Sequence, residues 1–220
     1  MSGLLVKDFR LMLQRKRFFL LLLVIVVCMC FSMRDNMAMI VGYLTIISVL
    51  FCVSSMSYDE YDNCYAFLMT LPIDRKTYVR GKYIFGVLIG MGSWIIGLAI
   101  CCMGRMFQVQ TLPSGEEIAG TLSFVVMGLL MLDLVIPLQL KYGMERGRIA
   151  QVVAMGAVFL VVYLSDKLAG NMGINLGEML DGTLAGASEG MLIAATVAVI
   201  LLLTGISILA SQRIMEKKEF

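Results

Sequence analysis

Apolar and polar residues come in blocks along this chain. Six apolar blocks lie at about residues 18–33, 37–56, 83–104, 118–140, 149–164 and 190–210. An α-helix rises about 1.5 Å per residue and the hydrocarbon core of a bilayer is about 30 Å thick, so roughly 17–25 apolar residues make one crossing. The blocks therefore predict an all-α, polytopic membrane protein with six transmembrane helices in a single domain covering residues 1–220. The last block is the cleanest; the first and fifth are short, so their ends extend or snorkel.

The polar connections fix an orientation, because lysine and arginine concentrate on the cytoplasmic side of membrane proteins. Lys7, Arg10, Arg15, Lys16 and Arg17 precede the first block. Arg75, Lys76, Arg80 and Lys82 follow the second, Lys141, Arg146 and Arg148 follow the fourth, and Arg213, Lys217 and Lys218 follow the sixth. These are fifteen of the 18 basic residues. The alternate connections hold only Arg34, Arg105 and Lys167. Both termini are thus expected in the cytoplasm. Merging any two blocks would mix the two groups.

Composition agrees. Of 220 residues, 60% are hydrophobic and 15% charged, against about 25% charged in soluble domains, and the mean hydropathy is +0.88. A net charge of +2 gives no reason to expect nucleic acid. The chain has no histidine, which removes Ser-His and Cys-His nucleophile pairs and HExxH zinc sites. Its six cysteines form no paired CxxC array, so neither a metal site nor a disulfide framework is expected. No small-residue cleavage pattern follows the first apolar block, which therefore reads as a retained anchor. Within residues 1–17, Lys7, Arg10, Gln14 and Arg17 share one face and Leu5, Phe9 and Met12 another, with Ser2 a candidate cap. This predicts an interfacial amphipathic helix with its basic face toward anionic lipid.

The external connections are modest: a tight turn at 34–36, a loop at 105–117, and a Gly-rich acidic stretch at 165–189. The cytoplasmic segment 57–82 carries more information. It opens acidic, with Asp59, Glu60 and Asp62, and closes basic. Pro72 breaks its backbone, and Asp74 is placed to cap a helix running into the third span. Tyr61, Tyr65, Phe67, Leu68 and Leu71 give its first half an aromatic face, which either docks a partner or lies on the membrane. In the second segment, 136–148, Pro137 lies near the end of the fourth span and Gly143 permits a tight turn. Asp133 sits inside an apolar run, where an ionisable group is costly and faces protein or a water path. It either pairs with a nearby Lys or Arg, is protonated, or serves transport.

DEYDNCYAFLMTLPIDRKTYVRGKY and IPLQLKYGMERGR together resemble the small six-span permease subunits of bacterial ABC exporters, a class associated with antimicrobial and other amphipathic peptides. The resemblance lies in an acidic run leading to Leu71-Pro72-x-x-Arg75, in Lys82 opening the third span, and in Pro137 followed by Tyr142-Gly143-x-Glu145. It implies that 57–82 is a coupling segment seated on a separate ATPase. Asp59, Glu60, Asp62, Pro72, Asp74 and Arg75 would face that subunit, with Glu145 and Arg146 a secondary contact. It further implies two ATPase copies, a second identical or homologous permease, a bacterial cell-membrane location, and a peptide or other amphipathic cargo. The residues agree with such a division of labour. The only Gly-Lys pair, Gly81-Lys82, is followed by Tyr83, so there is no P-loop. No cofactor is expected in this chain; Mg–ATP belongs to the partner.

Three other readings share parts of this pattern. Glu116-Glu117 resembles the paired acids of intramembrane proteases, but the histidines such sites need are absent. A non-transporting immunity or sensor component has the same topology. An ion-coupled secondary transporter would use Asp133.

Overall fold

The computed structural model describes residues 2–32, 36–61, 65, 74–108, 113–171 and 189–217. They form α1 (Ser2–Gln14), α2 (Lys16–Ser32), α3 (Met37–Glu60), α4 (Arg75–Gln108), α5 (Gly115–Asn171) and α6 (Glu189–Lys217). There is no strand among the described residues. Four helices are long and apolar enough to cross a membrane: Met37–Glu60, Arg75–Phe107, Gly115–Gly143 and Ala195–Lys217. The first expected span falls in α2, which has 17 residues. The fifth falls in the part of α5 beyond Gly143.

α3 is the most enclosed helix, packed between α4 and α5, while α6 is the least enclosed of the four. The helices touch through two apolar clusters. One gathers Met56, Tyr78, Val79, Phe85, Leu132, Ile136, Leu140 and Met215. The other joins Leu22 and Val26 of α2 to Ile40, Val41 and Leu44 of α3 and to Cys101 of α4. Several polar groups inside the bundle find partners there, as a low-dielectric solvent demands. Thr45 Oγ1 donates to the Val41 carbonyl at 2.8 Å, and Trp94 Nε1 to Thr121 Oγ1 at 3.0 Å.

At Arg15 and at the end of α3 the helix boundaries differ from the sequence expectation. The helix expected over 1–17 breaks at Arg15, whose N–H still bonds back to Leu11 and Met12 while its carbonyl starts the next helix. The segment expected as 57–82 is helical at both ends, because α3 runs on to Glu60 and α4 starts at Arg75. Asp74 stands immediately before α4, and its carbonyl accepts the Tyr78 N–H at 3.0 Å, as an N-cap residue's does. The expected turn at 143 is present inside α5. Gly143 has φ 76° and ψ −176°, and Gly147 lies against Gln139. Residues four before and four after the glycine are therefore neighbours, and the chain doubles back there.

At the other end of α5, Ser114 and Glu117 form a capping box. Glu117 N–H donates to Ser114 Oγ at 3.3 Å, and Ser114 N–H to Glu117 Oε2 at 3.0 Å. Arg105 grips the same carboxylate with two nitrogens, at 2.6 and 3.1 Å. One member of the Glu116-Glu117 pair is thereby a structural group.

The backbone at Gly143 occupies a region open essentially to glycine alone, and a Cβ there would collide with the Glu60 carboxylate. Gly143→Ala is expected to lower stability by about 1–3 kcal/mol. Gly156→Ala, where an added Cβ meets nothing within 4 Å, should leave it unchanged. Thermal unfolding of both variants in detergent micelles checks this.

Candidate functional site

The four basic segments meet at one end of the bundle. Lys7 and Asp8 of α1 reach Asp59 at the end of α3 and Lys82 near the start of α4. Arg75 reaches the end of α6, and Glu60 lies against the Gly143 turn.

The centre of this end is Lys82, only 1% exposed. An ammonium group has three protons to give, and three acceptor groups surround this one. Asp8 contributes Oδ1 at 2.9 Å and Oδ2 at 3.0 Å, Asp59 contributes Oδ2 at 2.8 Å, and Ser55 contributes Oγ at 2.9 Å. Asp59 also receives Lys7 on Oδ1 and the Tyr78 hydroxyl on Oδ2 at 2.9 Å. Two lysines thus balance two aspartates. Burying one such ion alone costs several kcal/mol; here α1, α3 and α4 each bring a charge that the others neutralise. Tyr65, from the segment joining α3 to α4, is buried with its phenol oxygen 3.4 Å from that of Tyr78. Burial pushes the Tyr65 phenol above its ordinary range, so it stays neutral beside the ion pairs.

The residues expected to face a partner are not gathered in one place. Asp59 is 3% exposed, its carboxylate turned into the bundle. Glu60 is half-buried, while Asp74 is exposed. Arg75 Nη1 donates to the carbonyls of Met215 at 3.1 Å and Glu216 at 2.7 Å. It thus caps the C-terminal end of α6, where unpaired carbonyls and the helix dipole favour a cation. Lys76 supports the same end through Glu216 at 3.1 Å. Arg146 is exposed just past the Gly143 turn, and Glu145 has its backbone in the same helix. Asp62 and Pro72 lie outside the described residues, as do Phe67, Leu68 and Leu71 of the expected aromatic face.

Asp8 escaped the sequence reading, which described α1 by a basic and an apolar face and passed over its one acid. Its signal is visible in hindsight: it shares a helical stripe with Leu4 and Leu11, an acid on an apolar face.

A second polar group is built around a proline. Pro137 has no N–H, so the carbonyl of Asp133, four residues back, loses its helical partner. Ser207 of α6 donates to that carbonyl. Its oxygen also lies 2.6 Å from the Tyr83 hydroxyl, which in turn lies 3.0 Å from Ser211 Oγ. The Asp133 carboxylate accepts the Thr204 hydroxyl at 2.8 Å. Among the described residues no lysine or arginine forms an ion pair with it. Of the alternatives left open for Asp133, the described residues provide a hydroxyl partner and no ion pair. The ladder joins α4, α5 and α6 in the way membrane bundles accommodate an internal proline.

No group of three or more potential metal ligands occurs among the described residues. No disulfide joins the described cysteines Cys28, Cys30, Cys52, Cys101 and Cys102.

Removing one partner of a buried ion pair leaves the other uncompensated. Lys82→Met is expected to cost about 3–5 kcal/mol. Lys7→Met should cost clearly less, because that side chain is 32% exposed and water shares its charge. Thermal unfolding in micelles, read side by side, distinguishes the two.

The chain was compared with known proteins on this footing. The model of a family described as ABC-2 family transporter protein matches residues 3–216. No curated protein and no solved structure matched. A match over nearly the whole chain, on a helical bundle apolar enough to span a bilayer, makes this a multi-pass cell-membrane permease subunit of the ABC-2 transporter family, whose members work with an ABC-type ATPase.

Proposed function

We propose that this permease exports peptides or other amphipathic compounds, driven by two copies of a separate ATPase and paired with a second permease subunit. Six passes, with both termini in the cytoplasm, fit this reading; α2 and the second arm of α5 would supply the two beyond the four long helices. The chain itself hydrolyses no ATP and holds no cofactor, since it carries no P-loop. Mg–ATP acts in the partner.

The observation that carries the mechanism is the anchoring of the segment between α3 and α4. One root is locked where Asp59 meets Lys82, and the other where Arg75 holds the end of α6. Tyr65, between them along the chain, is buried in the apolar cluster at the same end. A segment fixed at both roots transmits a push to α3, α4 and α6 together. In this reading Glu60, Asp62, Pro72 and Asp74 present the segment to the ATPase, with Glu145 and Arg146 a secondary contact. Asp59 and Arg75 position it from inside. Closure of two ATPases would then rock the attached helices between inward- and outward-facing arrangements.

Affinity purification of this chain from membranes is expected to bring an ATP-binding subunit at one-to-one stoichiometry. Pro72→Ala combined with Asp74→Ala should reduce that recovery at least tenfold at unchanged permease yield. Undiminished recovery would remove the coupling assignment. Asp133→Asn keeps an acceptor for Thr204 and should leave ATP-dependent efflux within about twofold. Efflux that persists without ATP and fails in Asp133→Asn would select an ion-coupled transporter instead. An ATPase that co-purifies without any transport would indicate a sensor or immunity component.

A further inference from the structure

Behind the Arg15 elbow lies a cleft of about 320 Å³, lined by side chains from α1, α2, α3 and α4, near the lower end of small-molecule sites at about 300–1,000 Å³. Phe9 and Met12 of α1 and Phe19 of α2 line it, together with Ser48 and Ser93, which are buried. Along α4 the lining runs from Leu88 to Ile96, a length of about 12 Å at 1.5 Å per residue. Leu23, Leu88 and Ile96 at its edge are exposed, so in a bilayer the cleft opens sideways to lipid. Position 92 in this lining is glycine, and a Cβ there would meet nothing within 4 Å. Glycine in a helix interior forgoes helix propensity that alanine would supply, so neither turn geometry nor close packing accounts for it. What it supplies is room.

Charge identifies the occupant. Arg15, Lys16 and Arg17 are exposed at the elbow, between the lining residues Met12 and Phe19 along the chain. None of them forms an ion pair among the described residues, and Arg15 lies over the Tyr58 ring at 5.1 Å. An apolar slot of limited width beneath unneutralised cations fits an amphiphile with an anionic head and a hydrocarbon tail. We propose that the cleft binds one acyl chain of an anionic phospholipid, with its phosphate held at the Arg15–Lys16–Arg17 elbow. The α1–α2 joint, one bond network away from Lys82, would then be seated by a specific lipid. This inference rests on the membrane location alone and not on the cargo or direction of transport.

The test uses the full chain in lipid nanodiscs doped with one of two probes, phosphatidylglycerol or phosphatidylcholine, each carrying a diazirine on one acyl chain. After irradiation, labelling of the peptide containing Leu88–Ile96 is quantified by mass spectrometry. The phosphatidylglycerol probe is expected to label it at least fivefold more than the phosphatidylcholine probe. Gly92→Leu, which fills the slot without a backbone clash, should cut phosphatidylglycerol labelling at least fivefold. Lys16→Gln with Arg17→Gln leaves the slot open and should bring that labelling down to the phosphatidylcholine level. Equal labelling by the two probes overturns the proposal. So does wild-type labelling in Gly92→Leu of unchanged melting temperature, or in the double glutamine variant, which decides alone if the leucine variant does not fold.

Discussion

The bundle depends on one buried ammonium group. Lys82 sits where almost no water reaches it, and a cation there persists only with anions and acceptors at hydrogen-bond distance. Those partners come from two other helices. Their meeting fixes where α1 lies, where α3 ends and how α4 begins. Hydrophobic packing alone would specify this arrangement poorly, since apolar helix faces slide in a solvent as apolar as themselves. The charge cluster gives the end of the bundle a register.

Pro137 sets the second constraint. By leaving the Asp133 carbonyl without an N–H, it creates a demand that a hydroxyl on a neighbouring helix must meet. Ser207 meets it, and Tyr83 extends the link to α4. Tyr83 follows Lys82 directly, so adjacent residues of α4 tie the helix to α1 and α3 on one side and to α5 and α6 on the other. In the proposed mechanism this pair of joints is what makes the helices respond together when the segment between α3 and α4 is pushed.

The capping box at Ser114 and the fold-back at Gly143 end α5's first arm by different means. At one terminus, side chains satisfy the exposed N–H groups of the first turn. At the other, a glycine adopts a conformation closed to other residues. Gly143 was readable in outline as a turn, whereas the stretch 105–117 expected as a loop is helical at 105–108 and 115–117. The Arg105–Glu117 pair that reinforces the loop was not foreseen, because the two acids drew notice for their chemistry instead of their position at a helix start.

The sequence by itself determined that the chain is helical, that it belongs in a membrane, and which segments share an end. Each of these follows from local sums: the transfer free energy of about twenty consecutive residues, or the bias of lysine and arginine beside them. The tertiary structure alone decided which polar side chains answer one another. Asp8 and Lys82 are 74 residues apart, and Arg75 and Met215 are 140. Asp59 and Arg75 looked like surface charges in a loop, yet one lies inside a neutral ion cluster and the other caps a distant helix. Hydropathy is additive along the chain and can be read from it; a buried charge is settled by whatever lies within about 4 Å of it, and that is known only once the helices have packed.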